Sequence, residues 1–386
     1  MKPSMSTQEN EGPFLGRKMK VNLFHPLIPE SAIGPVNEIL RSKWIGQGSN
    51  IAEFEKRFSE KFKTYNPVAV ITGTAAIHLS LVLAGIGPGD EVITTPLTCP
   101  ATNHPILYQF ARPVFADIQY ETGNMDPEDV ERKITPKTKA IMCVDYGGRP
   151  CDLDEIKEIA LRHNLQVIED SAQALGAEYK GTPIGRIADY TCFSFQALKI
   201  ITTIEGGMLC VKDPEKYKEA IRRRWYGVDR EAPKNPLFGN FDYDATEIGY
   251  KYNMNNVAAT VGLEQLKSFD SLFSRKQEIA KRYNEELGGV SGITLFKQEK
   301  HKKNTYYLFP MHIRNRDKVA GKLMQKGIEV SVGHTRNDKL SVFGGKFLNL
   351  PNLTRFSESV ICTPIHNKLT DEEVSYVIKS LKEAVK

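Results

Sequence analysis

The six cysteines of this 386-residue chain form no C-x-x-C pair, and they lie far apart along the sequence. That spacing gives neither a zinc cluster nor a disulfide framework. Several stand inside apolar runs, as Cys143 does in KAIMCVDY and Cys210 in GGMLCVKD, so they read as reduced, buried core residues, and no metal is expected. No apolar run is long enough to cross a membrane, and residues 1–20 lack the apolar centre of a secretion signal. A cytoplasmic, soluble protein is therefore expected. The net charge is only +5, with Lys and Arg scattered among acids, so no nucleic-acid or membrane partner is expected. No G-x-G-x-x-G follows the first strand of the sheet region, which argues against a dinucleotide enzyme. No GK[ST] completes a P-loop.

What remains is an ordinary globular composition, 40% hydrophobic and 26% charged, at a length that suggests a large domain and a smaller one. Residues 1–20 read as a flexible tail, 21–287 as the large domain with a bridging helix, and 288–386 as a small α+β domain. Between Pro67 and Val211 short β-rich runs (PVAVIT, EVITT, ARPVFADI, KAIMCV, QVIED, DYTCFSF, GGMLCV) alternate with helical patterns. The alternation predicts an α/β fold, a mainly parallel central sheet flanked by helices. In such sheets ligands gather at the carboxyl ends of the strands. The small domain is expected to hold strands in TYYLFPMHI and IEVSVG and helices over Arg316–Lys326 and Asp371–Glu383. The stretch 230–249, rich in Pro, Gly, Asp and Tyr, is long for an irregular connection and reads as functional or partner-covered.

Three features near predicted strand ends carry chemistry. Gly73-Thr74 joins a strand to a helix, where a tight turn, first-turn amides and a hydroxyl suit a phosphate; an ordinary capped turn has the same appearance. Asp170 ends QVIED and is followed by Gln173, whose amide can donate to an anionic oxygen. Lys199 follows DYTCFSF among Leu198, Ile200 and Ile201 and precedes Gly206-Gly207, a setting that favours a nucleophilic amine over a solvated one. Ser194, five residues before it, can reach the same phosphate. An amine able to condense with an aldehyde and a carboxylate able to keep a pyridine nitrogen protonated are the two needs of pyridoxal 5′-phosphate (PLP).

With these residues in place, the chain resembles the DegT/DnrJ/EryC1/StrS family of PLP-dependent aminotransferases. The ordered fragments SKWIGQGSNIAEFEKRF, GTAAIHLSLVLAGIGPGDEVITTP, EDSAQALGAEYKG, SFQALKIITTIEGG and IGYKYNMNNVAATVGLEQL carry the resemblance. It implies the fold-type I aminotransferase architecture. Lys199 would hold the cofactor covalently, Asp170 would face the pyridine nitrogen and Gln173 the ring oxygen. Gly73, Thr74, Ala75 and Ser194 would bind the phosphate. The usual assembly is a homodimer in which Lys251 and Asn253 of the GYKYNM segment reach the neighbour's phosphate. Trp44, Gln47, Gly48, His334 and Arg336 would lie on the substrate side.

The implied reaction transfers an amino group from L-glutamate to a keto group of a nucleotide-linked deoxy sugar, as in surface-polysaccharide or secondary-metabolite synthesis. A keto-cyclitol or a keto-sugar without a nucleotide is the alternative substrate, and a PLP-binding regulator without turnover the alternative function. Sugar 3-dehydratases of the family carry histidine in place of the lysine, so Lys199 argues against that activity. The chain departs from the pattern at Cys99, where many members place an aromatic ring against the cofactor. Lys251 and Asn253 stand where Asn and Arg are common. Ile204 replaces a glycine, and GHTRND (Gly333–Asp338) replaces a His-Tyr-x-Pro-Leu-His sequence.

Overall fold

A computed structural model of the chain describes residues 19–230 and 243–386. Most of the expected tail and the middle of the 230–249 stretch lie outside the described residues.

The centre is a seven-stranded sheet. In chain order its strands are β1 (Asn66–Val70), β2 (Glu91–Thr94), β3 (Arg112–Phe115), β4 (Thr138–Val144), β5 (Gln166–Asp170), β8 (Tyr190–Ser194) and β9 (Gly207–Val211). Two short strands, β6 (Glu178–Tyr179) and β7 (Thr182–Pro183), form a side ribbon with β11 (Lys302–Lys303). The spatial order is β1-β9-β8-β5-β4-β2-β3. The pairs from β8 to β3 are parallel, and β9 alone runs against its neighbours β1 and β8. The reason is the connection: residues 195–206 return without a helix, and a parallel partner would need a crossover.

Helices α1 (Ile33–Ser42) and α2 (Ser49–Phe62) precede the sheet. Helices α3 (Gly73–Leu83), α4 (Pro100–Tyr108), α5 (Pro127–Arg132), α6 (Leu153–His163) and α7 (Pro214–Arg223) alternate with its strands. On one face, Phe54 and Phe58 of α2 meet Phe193 and Phe195 edge to face, all four fully buried. On the other face α3 is apolar all round and buried over nearly its whole length, sealing the sheet there.

Helix α8 (Asn256–Leu287) is 32 residues long and starts at a cap in which the Asn255 side chain accepts from the amide of Ala258. Its first half packs on α2; its last turns belong to a second core. That core joins Val21, Ile279, Tyr283 and Leu287 to β10 (Ile293–Leu295), β12 (Phe309–Ile313), α9 (Arg316–Gln325), β13 (Val360–Thr363) and α11 (Asp371–Ala384). Helix α10 (Pro351–Ser359) packs against β12, the middle strand of the β10-β12-β13 sheet. IEVSVG, expected as a strand, makes only isolated bridges, Val21 with Ile328 and Ser331 with Cys362. Its two ends serve different neighbours, so no ladder forms.

Candidate active site

The carboxyl ends of β1, β5 and β8 converge. At the first, Thr72 rather than Thr74 caps α3: its side chain accepts from the amide of Ala75 at 3.0 Å. The amides of Gly73 and Thr74 and the hydroxyl of Thr74 have no partner among the described residues, which leaves a set of donors at a positive helix end. The cradle is closed by glycines. A Cβ on Gly73 would stand 2.8 Å from the Cβ of Ser194, and one on Gly207 would stand 2.4 Å from the carbonyl oxygen of Thr72. Only glycine lets the end of β8 and the start of β9 approach the first turn of α3 so closely.

Asp170 is buried at the tip of β5. Its Oδ2 accepts from the Thr102 hydroxyl at 2.6 Å and its Oδ1 from the amide of Ala172 at 3.1 Å. Burial pushes the carboxyl pKa up, while Thr102, Ala172 and the Lys199 ammonium oppose the rise. Thr102 lies on α4, one turn beyond Cys99, the residue that precedes the helix. Cys99 is exposed, so it is not the buried core residue expected from composition; the other five cysteines are buried. Gln173 is fixed by the amide of Gly147, which donates to its Oε1 at 2.8 Å.

Lys199 is half-buried in the turn after β8, its ammonium 4.2 Å from the centre of the Tyr307 ring. The loop behind it is strained. Ile204 has φ +71°, a left-handed conformation that costs a β-branched residue roughly 1–2 kcal/mol. This explains why a glycine is common there. The turn is held by Thr203, whose amide donates to the Phe195 carbonyl and whose hydroxyl donates to that of Glu205.

A carboxyl pair stands behind Asp170 that sequence reading missed. Asp145 and Glu169 are both fully buried; Asp145 accepts from Ser171 and from the amide of Cys151, and Glu169 from Thr191. Glu169 Oε1 has no donor among the described residues, and the neighbouring Asp145 carboxyl favours the protonated, uncharged form of Glu169. Burial raises both pKa values, that of Asp145 to about 7; the charge of Asp145 adds to the rise at Glu169, and the charge of Asp170 to the rise at Asp145. An acid whose pKa is raised on folding contributes stability that is complete below its unfolded pKa and lost as pH rises through the folded value. Lys276, lowered to about 7, acts in the opposite sense but above that value, where the loss from Asp145 is complete. The comparison between variants isolates the pair. Glu169→Gln is expected to lose less melting temperature than wild type between pH 5 and 7, and parallel curves in a thermal-shift titration would refute a proton held at Glu169.

The residues expected on the substrate side separate. Trp44, Gln47 and Gly48 are gathered by the start of α8 instead: the Asn256 side chain donates to the Trp44 carbonyl and fills the space where a Gly48 side chain would sit. Gln47 pairs with Arg230. Arg336 is not available to a ligand. Its guanidinium is buried and bidentate to Asp338, and also donates to Thr354 and the Leu348 carbonyl, so its charge is spent inside its own loop. His334 reaches Gln173, with 2.9 Å between His334 Nε2 and Gln173 Nε2. Asn253 lies beside Val70, at the end of β1, with its Oδ1 buried and without a partner among the described residues. Lys251 is exposed, its ammonium 5.5 Å and 5.6 Å from the Trp225 and Tyr226 rings. One acidic and histidine cluster, Asp152, Glu299 and His301, has ligand spacing among the described residues. The ammonium of Lys302 already sits against both of its carboxylates.

These groups fit PLP: donors at a helix end for a phosphate, a buried carboxylate with two donors for a ring cation, an oriented amide, and an amine among apolar neighbours. The likeness to known proteins agrees. The profile of the DegT/DnrJ/EryC1/StrS aminotransferase family matches residues 26–382. An uncharacterized protein of Methanocaldococcus jannaschii is 41% identical over 374 residues, covering 94% of this chain and 97% of that one. GDP-perosamine synthase of Escherichia coli O157:H7 is 36% identical over 352 residues, 90% of this chain and 94% of that one. Among solved structures, a Streptococcus pneumoniae protein in its PLP form superposes with a TM-score of 0.88 at 32% identity, covering 95% of this chain and 99% of that one.

Proposed function

This chain belongs to the DegT/DnrJ/EryC1/StrS family of PLP-dependent aminotransferases, and from that premise we propose that it moves an amino group from L-glutamate to a keto group of a nucleotide-linked deoxy sugar. The observation that carries the reaction type is the convergence of Lys199, Asp170 and the Gly73–Ser194 cradle on one sheet edge. The substrate class is supported by a relative that matches 90% of the chain, a GDP-perosamine synthase.

When bound, PLP supplies the electron sink that lets an amine nitrogen leave one carbon for another. The protein supplies the rest. The Gly73 and Thr74 amides, the Thr74 hydroxyl and Ser194 bind the phosphate, and Asp170 keeps the ring nitrogen charged. Gln173 donates to the ring oxygen. Lys199 would hold the cofactor, and its Nζ, when free, would take the proton from the donor's α-carbon. On the sugar half of the cycle the same amine returns a proton to the carbon that gains nitrogen.

A second copy completes the site in this reading. Lys251 points outward beside aromatic rings, and exposed apolar side chains lie near it in sequence and along the Asn256 contact, Ile248 at 76% exposure and Trp44 at 69%. A homodimer that covers them would bring Lys251 to the partner's phosphate.

The test has two steps. L-glutamate added to the PLP-loaded protein should bleach its long-wavelength absorbance and release 2-oxoglutarate. The resulting amino form should then regain that absorbance with GDP-, UDP- or dTDP-linked keto-sugars. Recovery with free keto-sugars or keto-cyclitols alone would overturn the nucleotide assignment, and no bleaching with glutamate would overturn the donor.

A further inference from the structure

We propose that His334 is a positioning residue that sets the orientation of the Gln173 amide, resting on the reading that Gln173 serves the ring oxygen of PLP. The amide can be assigned from its surroundings. The Gly147 N–H can only donate, so the Gln173 atom 2.8 Å from it is the carbonyl oxygen Oε1. The –NH2 end therefore faces His334, 2.9 Å from its Nε2. A donor must meet an acceptor there, so Nε2 carries a lone pair and the imidazole is the neutral Nδ1–H tautomer. The environment favours that form. His334 is closely surrounded, and burial, with the nearby charge of Lys199, lowers its pKa to about 4. The Tyr146 ring meets it edge on, 6.2 Å between centroids. With its oxygen held by Gly147 and one N–H held by His334, Gln173 has a single N–H left to offer.

The segment that carries His334 is built to hold it still. Gly333 has φ +73°, and a Cβ on it would stand 2.5 Å from the Tyr146 hydroxyl, so the chain passes beneath that ring only as glycine. Four residues later Asn337 is stitched to the segment that leads into α4. Its amide donates to the Pro96 carbonyl at 2.7 Å, its Nδ2 to the Thr98 carbonyl at 2.7 Å, and its Oδ1 accepts from Asn103 at 3.0 Å. Asn103 is the neighbour of Thr102, which donates to Asp170. One loop, Gly333–Asp338, thus braces both groups assigned to the ring, Gln173 directly and Asp170 through α4. This gives GHTRND a role in ring alignment, away from sugar recognition.

The experiment compares pH titrations of the absorbance of PLP-loaded wild type, His334→Leu, His334→Gln, Gln173→Ala and the double variant His334→Leu/Gln173→Ala. Leucine cannot accept a hydrogen bond, whereas the glutamine carbonyl can. The expected result is a midpoint shift of about 0.5–1 pH unit in His334→Leu, of the same sign as in Gln173→Ala. His334→Gln should return most of it, and the double variant should shift no further than Gln173→Ala alone. An unmoved midpoint in folded, loaded His334→Leu overturns the proposal, as do additive shifts. Nitrogen-15 NMR of the cofactor-free wild type reads the hydrogen bond without any variant: a protonated Nε2 on His334 overturns the proposal, and an unprotonated one that shifts in Gln173→Ala supports it. Wild type that takes up no PLP refutes the underlying reading and the proposal together, whereas loading with an unmoved midpoint refutes the proposal alone.

Discussion

Replacing Lys199 by alanine is expected to abolish transamination, lowering kcat by about four orders of magnitude or more, and to remove the long-wavelength absorbance of the loaded protein. Two roles converge on one nitrogen: holding the cofactor covalently at rest and carrying the proton between carbons. Among the described residues no other amine is placed to take them over. Lys276 is the nearest candidate by charge, but its ammonium is tied to the Tyr306 and Ile365 carbonyls at 3.1 Å each. Lys199→Arg separates charge from chemistry. A guanidinium keeps a cation near Tyr307 yet stays protonated and cannot condense with an aldehyde, so it should be as inactive as alanine. Phosphate binding rests on other residues, so both variants should still retain PLP, weakly and reversibly. Spectra before and after dialysis, with single-turnover rates, check this; an alanine variant with normal absorbance and turnover would remove Lys199 from the centre of the site.

The parts of this site that were legible in the sequence are those fixed by strand order. Asp170, Ser194 and the Gly73 turn sit where alternating β and α runs end, so a local pattern was enough to bring them to one edge. Even there the local pattern left two options open: in ITGTAA either threonine can cap, and the backbone chose Thr72, which leaves Thr74 for a ligand. What escaped depends on contacts between distant segments. Thr102 reaches Asp170 across 68 positions and His334 reaches Gln173 across 161, and no periodicity encodes either pairing. The Arg336–Asp338 pair is different, since R-N-D carries both charges two residues apart. The signal was present and pointed to a closed ion pair in place of a binding arginine. The lone reversed strand β9 was likewise readable from the short helix-free return after Lys199.

The second large effect is expected at Asp170. Its carboxylate is 5% exposed, and burial alone disfavours its charge. Two donors and Lys199 oppose that cost, and a ring cation would complete the compensation. The coupling acts both ways: a buried anion that is stabilised by a pyridinium stabilises the pyridinium in turn. Breaking one side of a buried pair costs about 3–5 kcal/mol, which corresponds to a factor of about 10²–10⁴ in rate when the charge is needed at the transition state. Asp170→Asn is therefore expected to slow the glutamate half-reaction by about that factor while PLP stays bound, because the cradle at Gly73, Thr74 and Ser194 is separate. Asp170→Ala should lose at least as much and should also free the Thr102 hydroxyl. Thr102→Val gives the intermediate case: it removes one donor and leaves the charge, so a loss of about tenfold is expected. Stopped-flow bleaching with glutamate orders the three variants. If Asp170→Asn bleaches at the wild-type rate, the acid at the tip of β5 does not govern the ring, and Asp145 and Glu169 behind it become the carboxyls to test next.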